Sequence, residues 1–388
     1  MQRKYRVVTL DHHIIGEGIP AECDNGFVTR ALERVTYRPL LRNWLLRQSD
    51  GLFVRKDSYN ESLEAEYRQM TSQSHIISPC GELRFEKIWC LGRDGLRVDI
   101  DNGVVFIGPA VNWGRDYLNW WLENGDIGFD RWLSENSFLA DFGEVDRHHD
   151  DIIMMKYPGY EIFGHWLLDY YPQLYLSRYM SKAASTTFVF DHLSGWMASL
   201  VEAAGIAQVD CYRHRLTEHR NLRMPTGLKN GYALSQPINS LAWSELRAYF
   251  NHLNSYRPPT GIEKLFISRR KWSGARGLSN YDELEQLMLS LGFEIYNPEQ
   301  FSLQDQAHHF SHARVIVGED GSGLHSILFS DPGAVLGVLM QEGRSNLWHA
   351  GICEAMGHSL AYYKINLHAN GAMLDMGAVK TFVLAIQE

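Results

Sequence analysis

Apolar positions along this chain fall into two textures. Before about residue 150 the apolar runs are strand-like and irregular, and from Ile152 they alternate with stretches of helical spacing. Ile152-Ile-Met-Met155 predicts a strand, Gly164 to Met180 a helix, and Thr187 to Phe190 the next strand. Ser194 to Ala204 reads as a helix stopped by Gly205, followed by short strands at Val209 to Tyr212 and Asn221 to Met224. Leu241 to Leu253 is a further helix. Ser255 to Gly261, with its Pro258-Pro259 pair, breaks the pattern and reads as a linker.

Beyond that break the alternation is clean. Strands are predicted at Lys264–Ser268, Glu294–Tyr296, Ala313–Val317, Ala334–Met340 and Leu360–Ile365. Between them lie helices at Tyr281–Leu291 (capped by Asn280 or Ser279), from a Ser302 cap to Phe310, up to Phe329, and at Leu347–Met356. A final apolar stretch, Met373 to Ile386, predicts a C-terminal helix. Strands that alternate with helices of this length imply a parallel sheet covered on both faces, with ligands at the carboxyl ends of the strands.

Two stretches at such strand ends carry candidate chemistry. After Ala313–Val317 comes Gly318-Glu-Asp-Gly-Ser-Gly-Leu324, where glycine lets the backbone approach a ligand and a helix start offers N–H groups to an anion. After Lys264–Ser268 come Arg269, Arg270 and Lys271, with Arg276 a little further on. Guanidinium forks converging on a glycine loop suit a diphosphate. Earlier, His165 and Asp169 stand four apart on a predicted helix, so a carboxylate can orient an imidazole as a general base. Pro172 should kink that helix.

Other patterns read as structure. Asp99-Ile-Asp101 spells the D-x-D of metal-dependent sugar transfer, yet Asp101-Asn-Gly103 is a hairpin turn signal between two β-rich runs. Trp113, Trp120, Trp121 and Trp132 can stack sugars, but aromatics at this density mostly pack. Arg147-His-His-Asp-Asp151 holds metal-competent side chains that point different ways, and His308 and His312 read as a solvated helix face. No metal site is expected.

Composition narrows the class. At 388 residues and 45% hydrophobic content the chain can bury one or two sizeable cores. A net charge of −9 argues against a nucleic-acid partner. Five scattered cysteines without a C-x-x-C pair fit reduced thiols, and the basic N-terminus lacks the apolar core of a secretory leader, so a cytoplasmic location is expected. No window has the roughly 18 apolar residues of a membrane span.

The run Ile267-Ser-Arg269 with Arg276, Leu278, Asn280 and Glu283-Leu284 resembles glycosyltransferase family 61. So do Gly292-Phe-Glu, Pro298-Glu-x-x-Ser-Leu303, the loop of residues 317–324, and His165-Trp-Leu-Leu-Asp169. Bacterial members of that family are labelled as capsular or surface-polysaccharide proteins. The likeness covers about residues 150–365. It implies an α/β, GT-B-like architecture: two Rossmann-like domains facing across a cleft, preceded here by a β-rich extension. The implied organisation is residues 1–150 as that extension of the first lobe, 151–258 as the acceptor-side domain, 259–366 as the nucleotide-sugar domain, and 367–388 as a helix crossing back to the first lobe.

The implied activity is inverting, metal-independent transfer of a hexosyl or pentosyl group. The donor would be a nucleotide-diphosphate sugar, a UDP-sugar by expectation, and the acceptor a glycan or lipid-linked glycan. No cofactor is implied. A lipid-linked acceptor would bring peripheral contact with the inner face of a membrane, although no strong basic amphipathic helix is present. By the resemblance, Arg269, Arg270 and Arg276 with Gly321, Ser322 and Gly323 hold the diphosphate, while Ser268, Glu319 and Asn346 approach the nucleotide or sugar. His165 is the expected base, oriented by Asp169, with Asp320 or Asp169 itself as rivals. The family usually carries histidine where Asp320 stands. That departure keeps an inactive glycan- or partner-binding relative in view. A polysaccharide pyruvyl transferase of similar architecture is the other alternative.

Overall fold

The computed structural model describes residues 2–9, 30, 33–39, 44–46, 75–77, 81–108, 111, 113–124, 128–145, 147–180, 186–212, 216–226, 237–271, 278–341, 348–365, 367–368 and 371–387. The chain forms a mixed α/β protein of two compact units. The first comprises Met1–Trp44 and Ser78–Leu228, the second Leu45–Ile77 and Lys229–Glu388. Among the described residues no helix is long and apolar enough to cross a membrane.

The first unit is built on one large mixed sheet. Its strands are β1 (Arg3–Thr9), β2 (Val35–Pro39), β3 (Gly81–Leu91), β4 (Leu96–Asp99), β5 (Val104–Ile107), β6 (Gly128–Ser134), β7 (Ser137–Asp141), β8 (Arg147–Asp150), β9 (Ile152–Met154), β10 (Thr187–Phe190), β11 (Val209–Cys211) and β12 (Leu216–Pro225). They run in the order β11-β10-β9-β12-β3-β4-β5-β1-β7-β6, with β8 added on β12 and β2 on β3. β9, β10 and β11 pair in parallel, and β12 turns antiparallel onto β3, which joins the α/β part to the β-rich part. The N-terminal strands are thus continuous with the later sheet and share its core, in which Phe85, Val98, Phe106, Phe138 and Ile153 are fully buried.

The hairpin reading of the D-x-D stretch holds. Both Asp99 carboxylate oxygens accept from Asn102, one from its backbone N–H and one from its side-chain amide. Asp101 pairs with Lys87 and Arg34. Gly103 has φ 64°, and a Cβ there would lie 2.8 Å from the Lys4 carbonyl oxygen. Of the tryptophans, Trp113 and Trp121 are buried, whereas Trp120 is 52% exposed. The backbone of Arg147–Asp150 pairs in parallel with β12, and the side chains of residues 147–149 lie outside the described ones.

The second unit holds a five-stranded, all-parallel sheet. Its strands β13 (Lys264–Ile267), β14 (Glu294–Tyr296), β15 (Val315–Glu319), β16 (Val335–Gln341) and β17 (Ser359–Ile365) lie in the order β14-β13-β15-β16-β17. The sequence boundary at 258/259 differs from this arrangement. The helix Pro237–Asn254 belongs to the second unit, where Phe250 packs edge-on against Phe329 at 5.5 Å and Arg247 donates to the Ser330 carbonyl. The proline pair therefore ends a helix inside a unit and does not link two. His308, expected on a solvated face, is buried, with Nε2 3.1 Å from the Pro258 carbonyl oxygen.

The C-terminal helix, Met376–Ala385, also departs from expectation. It does not cross back: Val379, Phe382, Val383 and Ile386 join Phe266, Leu284, Met288 and Val317 in the core of the second unit. Asn280 secures this arrangement through both ends of its amide, donating to the Leu374 carbonyl at 2.8 Å and accepting from the Leu374 N–H at 3.1 Å.

A buried histidine in this unit should make it acid-sensitive. Burial, with Arg247 nearby, pushes His358 down from 6.5 to about 4. Between those values the unfolded chain binds a proton that the folded one refuses. Stability is therefore full above pH 6.5 and lost as pH falls through about 4. The loss should approach about 3 kcal/mol at about 1.4 kcal/mol per pH unit. Denaturant unfolding at pH 7 and pH 4 should show a smaller difference in His358→Gln by about that amount. An unchanged difference would refute the assignment.

Candidate functional site

In the first unit the candidate chemistry stands past the carboxyl end of β9. The chain leaves the sheet through the buried residues Met155, Lys156 and Tyr157, loops to Ile162, and enters a helix at Phe163. Residues Phe163–His165 are α-helical, Trp166–Tyr170 form a π-helical turn, and Tyr171–Met180 continue as α-helix. The Tyr171 N–H bonds to the Trp166 carbonyl, five residues back. This wide turn accommodates Pro172, which has no N–H to donate and whose ring would crowd the carbonyl four residues earlier. The kink expected at Pro172 is thus a π turn just ahead of it.

That turn carries the His165–Asp169 pair. His165 Nδ1 lies 2.6 Å from Asp169 Oδ2, with the two side chains 21% and 18% exposed. A carboxylate at Nδ1 makes that nitrogen the donor and leaves Nε2 as the basic, lone-pair nitrogen. The covering loop lies directly on the ring. Gly159 has φ 83°, and a Cβ there would stand 2.8 Å from His165 Cδ2. Aromatic residues pin the loop: Trp166 Nε1 donates to the Tyr160 carbonyl at 2.6 Å, and the Tyr170 hydroxyl donates to the Tyr157 carbonyl at 2.6 Å. Trp166 and Tyr170 stack at 4.8 Å, so the clamp is rigid. Sequence reading missed the clamp, although the spacing of Tyr157, Tyr160, Trp166 and Tyr170 around the pair was its visible trace.

In the second unit the glycine loop and the cationic loop follow neighbouring strands, since Ile267 of β13 pairs with Gly318 of β15. They meet at Arg269. Its backbone N–H donates to the Tyr281 hydroxyl at 2.7 Å, and its Nη1 donates to the Asp320 carbonyl at 3.0 Å. A Cβ on Gly321 would lie 1.6 Å from that Nη1, so only glycine leaves room for the guanidinium. Gly321 itself is extended (φ 163°), and close approach alone requires glycine here.

Several expected donor contacts are otherwise engaged. Arg270 pairs with Asp282 and with Glu285, the latter at 3.2 Å, and the buried Ser268 hydroxyl donates to Glu285 at 2.7 Å. The expected helix over the glycine loop is a 3-10 helix, Ser322–Phe329, whose Leu324 N–H closes onto the Gly321 carbonyl. Every residue from Leu324 to Phe329 is buried. Fewer free N–H groups face a ligand than an α-helix start would present. Glu319 is buried. Arg276 and Asn346 lie outside the described residues.

Asp320 points inward. Its side chain is buried, and Oδ1 accepts from His349 Nε2 at 3.0 Å. His349 is fully buried on the helix Trp348–Met356, and its ring lies 5.0 Å from that of His325. The aspartate that seemed to project at an anion seat is turned inward onto a histidine. Sequence reading missed His349, because nothing local couples residues 320 and 349.

With both arrangements in view, comparison gives one result. Residues 163–337 match the family model described as Glycosyltransferase 61, a span that runs from Phe163 beside the His165 pair through the glycine loop and β16. Curated proteins give no match to the chain. The family match supports a glycosyltransferase.

Proposed function

We propose that the protein transfers a sugar from a nucleotide-diphosphate donor to a glycan acceptor, with inversion and without a required metal, in surface polysaccharide synthesis. The observation that carries this reading is that one family match takes in both the oriented His165–Asp169 pair and the Arg269–Gly321 contact. His165 Nε2 removes the proton from the acceptor hydroxyl as that oxygen attacks the anomeric carbon. Asp169 holds the ring in the required tautomer and stabilises the imidazolium that forms. Arg269, fixed before the ligand arrives, stabilises charge growing on the leaving diphosphate, with Arg276 beside it in role. Asp320, held by His349, acts as the rest for Arg269 and not as the base. The donor is proposed as a UDP-sugar and the acceptor as free or lipid-linked.

A panel of UDP-, GDP-, ADP- and dTDP-sugars tests this. At least one should raise the melting temperature in a concentration-dependent way and be turned over on adding a glycan acceptor. Stabilisation without turnover would favour an inactive binding relative. Neither effect across the panel, with stabilisation by phosphoenolpyruvate instead, would favour pyruvyl transfer.

A further inference from the structure

The first unit carries a second feature that the transfer mechanism does not use. Trp120, on the helix Arg115–Asn124, is half exposed, and beneath it Tyr117 lies 5.6 Å away at an interplanar angle of 31°. Tyr117 is held from two sides. Trp113 packs edge-on at 5.0 Å, and the Tyr117 hydroxyl donates to Asp94 Oδ2 at 2.8 Å. Asp94 is itself buried, and that burial raises its carboxyl above the usual range. An isolated exposed tryptophan needs no explanation. One whose support is anchored by a buried acid is a fixed platform.

Polar groups lead away from this platform. Arg93 stands 3.5 Å from Asp94 and 4.0 Å from Glu161, and both Arg93 and Glu161 are about half exposed. Glu161 reaches His192 Nε2 at 3.5 Å, while His192 Nδ1 faces Asp191 at 3.0 Å. Glu161 belongs to the loop that passes over His165 through Gly159. A donor (Arg93), an acceptor (Glu161) and an imidazole therefore follow in series from Asp94, the acid that anchors Tyr117 under Trp120.

We propose that Trp120, Arg93, Glu161 and His192 form a binding site for an uncharged pyranose ring. The C–H face of the sugar stacks on the Trp120 indole, and its hydroxyls bond to Arg93 and Glu161. The ligand is neutral because one exposed arginine is already shared between two carboxylates and a third, Asp191, lies behind His192. A uronic acid would meet more repulsion than attraction. His192 Nε2 faces Glu161 and Nδ1 faces Asp191, so the imidazole links the two carboxylates. The site's role as acceptor subsite rests on the glycosyltransferase reading, but its occupancy by sugar does not.

Saturation-transfer NMR on the full chain tests the site with methyl β-glucopyranoside, methyl β-galactopyranoside and methyl β-glucuronide, without nucleotide. The neutral glycosides should receive saturation at ring C–H protons, and the glucuronide markedly less. Trp120→Ala should weaken binding about fivefold or more, about 1 kcal/mol of lost stacking, and Trp120→Phe should restore part of it. Glu161→Gln, at an exposed position, should weaken binding with an unaltered melting temperature. The proposal is overturned if no glycoside receives saturation, if the glucuronide binds best, if binding requires an added divalent cation, or if Trp120→Ala leaves it unchanged. Loss of UDP binding in Trp120→Ala would overturn it too, by assigning the ring to a nucleobase. Glycoside binding without turnover of any sugar nucleotide would remove the transferase reading and leave this site standing.

Discussion

His165→Ala is expected to lower the turnover number by roughly 10²–10⁴-fold, the usual contribution of a positioned general base. The Michaelis constant for the sugar nucleotide should change little, because the donor's charge is assigned to Arg269 in the other unit. The expectation rests on geometry: Asp169 at 2.6 Å fixes Nδ1, and Gly159 lies against the ring, so Nε2 has one orientation. Asp169→Asn keeps the shape but offers an amide that can turn its N–H toward Nδ1 and select the wrong tautomer. A turnover loss of about a hundredfold or more is expected there, by analogy with other oriented histidines. Steady-state kinetics on folded variants decide the matter. If His165→Ala retains turnover within about threefold of the parent, far less than general-base loss implies, His165 is not the base.

How much of this was legible follows the range of the interactions. The strands and helices of the second unit are local, and their apolar periods placed β13 to β17 within a residue or two. The His165–Asp169 contact is also local, one turn of helix, and could be read from spacing. Partnerships across strands could not. Arg269 resting on the Asp320 carbonyl, and Asp320 turned onto His349, each join distant parts of the chain. Arg270 reads as a third phosphate cation until the folded helix brings Asp282 and Glu285 beside it. The last helix looked free to cross between lobes because its docking on Phe266 and Val317 leaves no mark in its own sequence. Sheet continuity in the first unit was equally hidden, since β12 must return antiparallel on β3, more than a hundred residues away.

Gly321→Ala should disable donor binding without unfolding the protein. The added methyl would occupy a point 1.6 Å from Arg269 Nη1, so the guanidinium must leave its seat on the Asp320 carbonyl. The backbone at Gly321 is extended, a conformation alanine adopts freely, so the melting temperature should hold. Losing a positioned, charge-assisted contact to the diphosphate is worth about 1.5–3 kcal/mol, which is roughly a ten- to hundredfold fall in donor affinity. Arg269→Ala should match or exceed that fall. Because both changes act through the same guanidinium, the double variant should bind no worse than Arg269→Ala alone, a coupling that a double-mutant cycle measures directly. Asp320→Asn is the companion measurement. It keeps the carbonyl that seats Arg269 and an oxygen for His349, so donor affinity should stay within about threefold, as for a change that leaves the hydrogen bonds in place. A collapse of turnover in Asp320→Asn with donor binding intact would transfer the base assignment from His165 to Asp320. Additive losses for Gly321→Ala and Arg269→Ala would show that the glycine loop acts on the donor by a route other than Arg269.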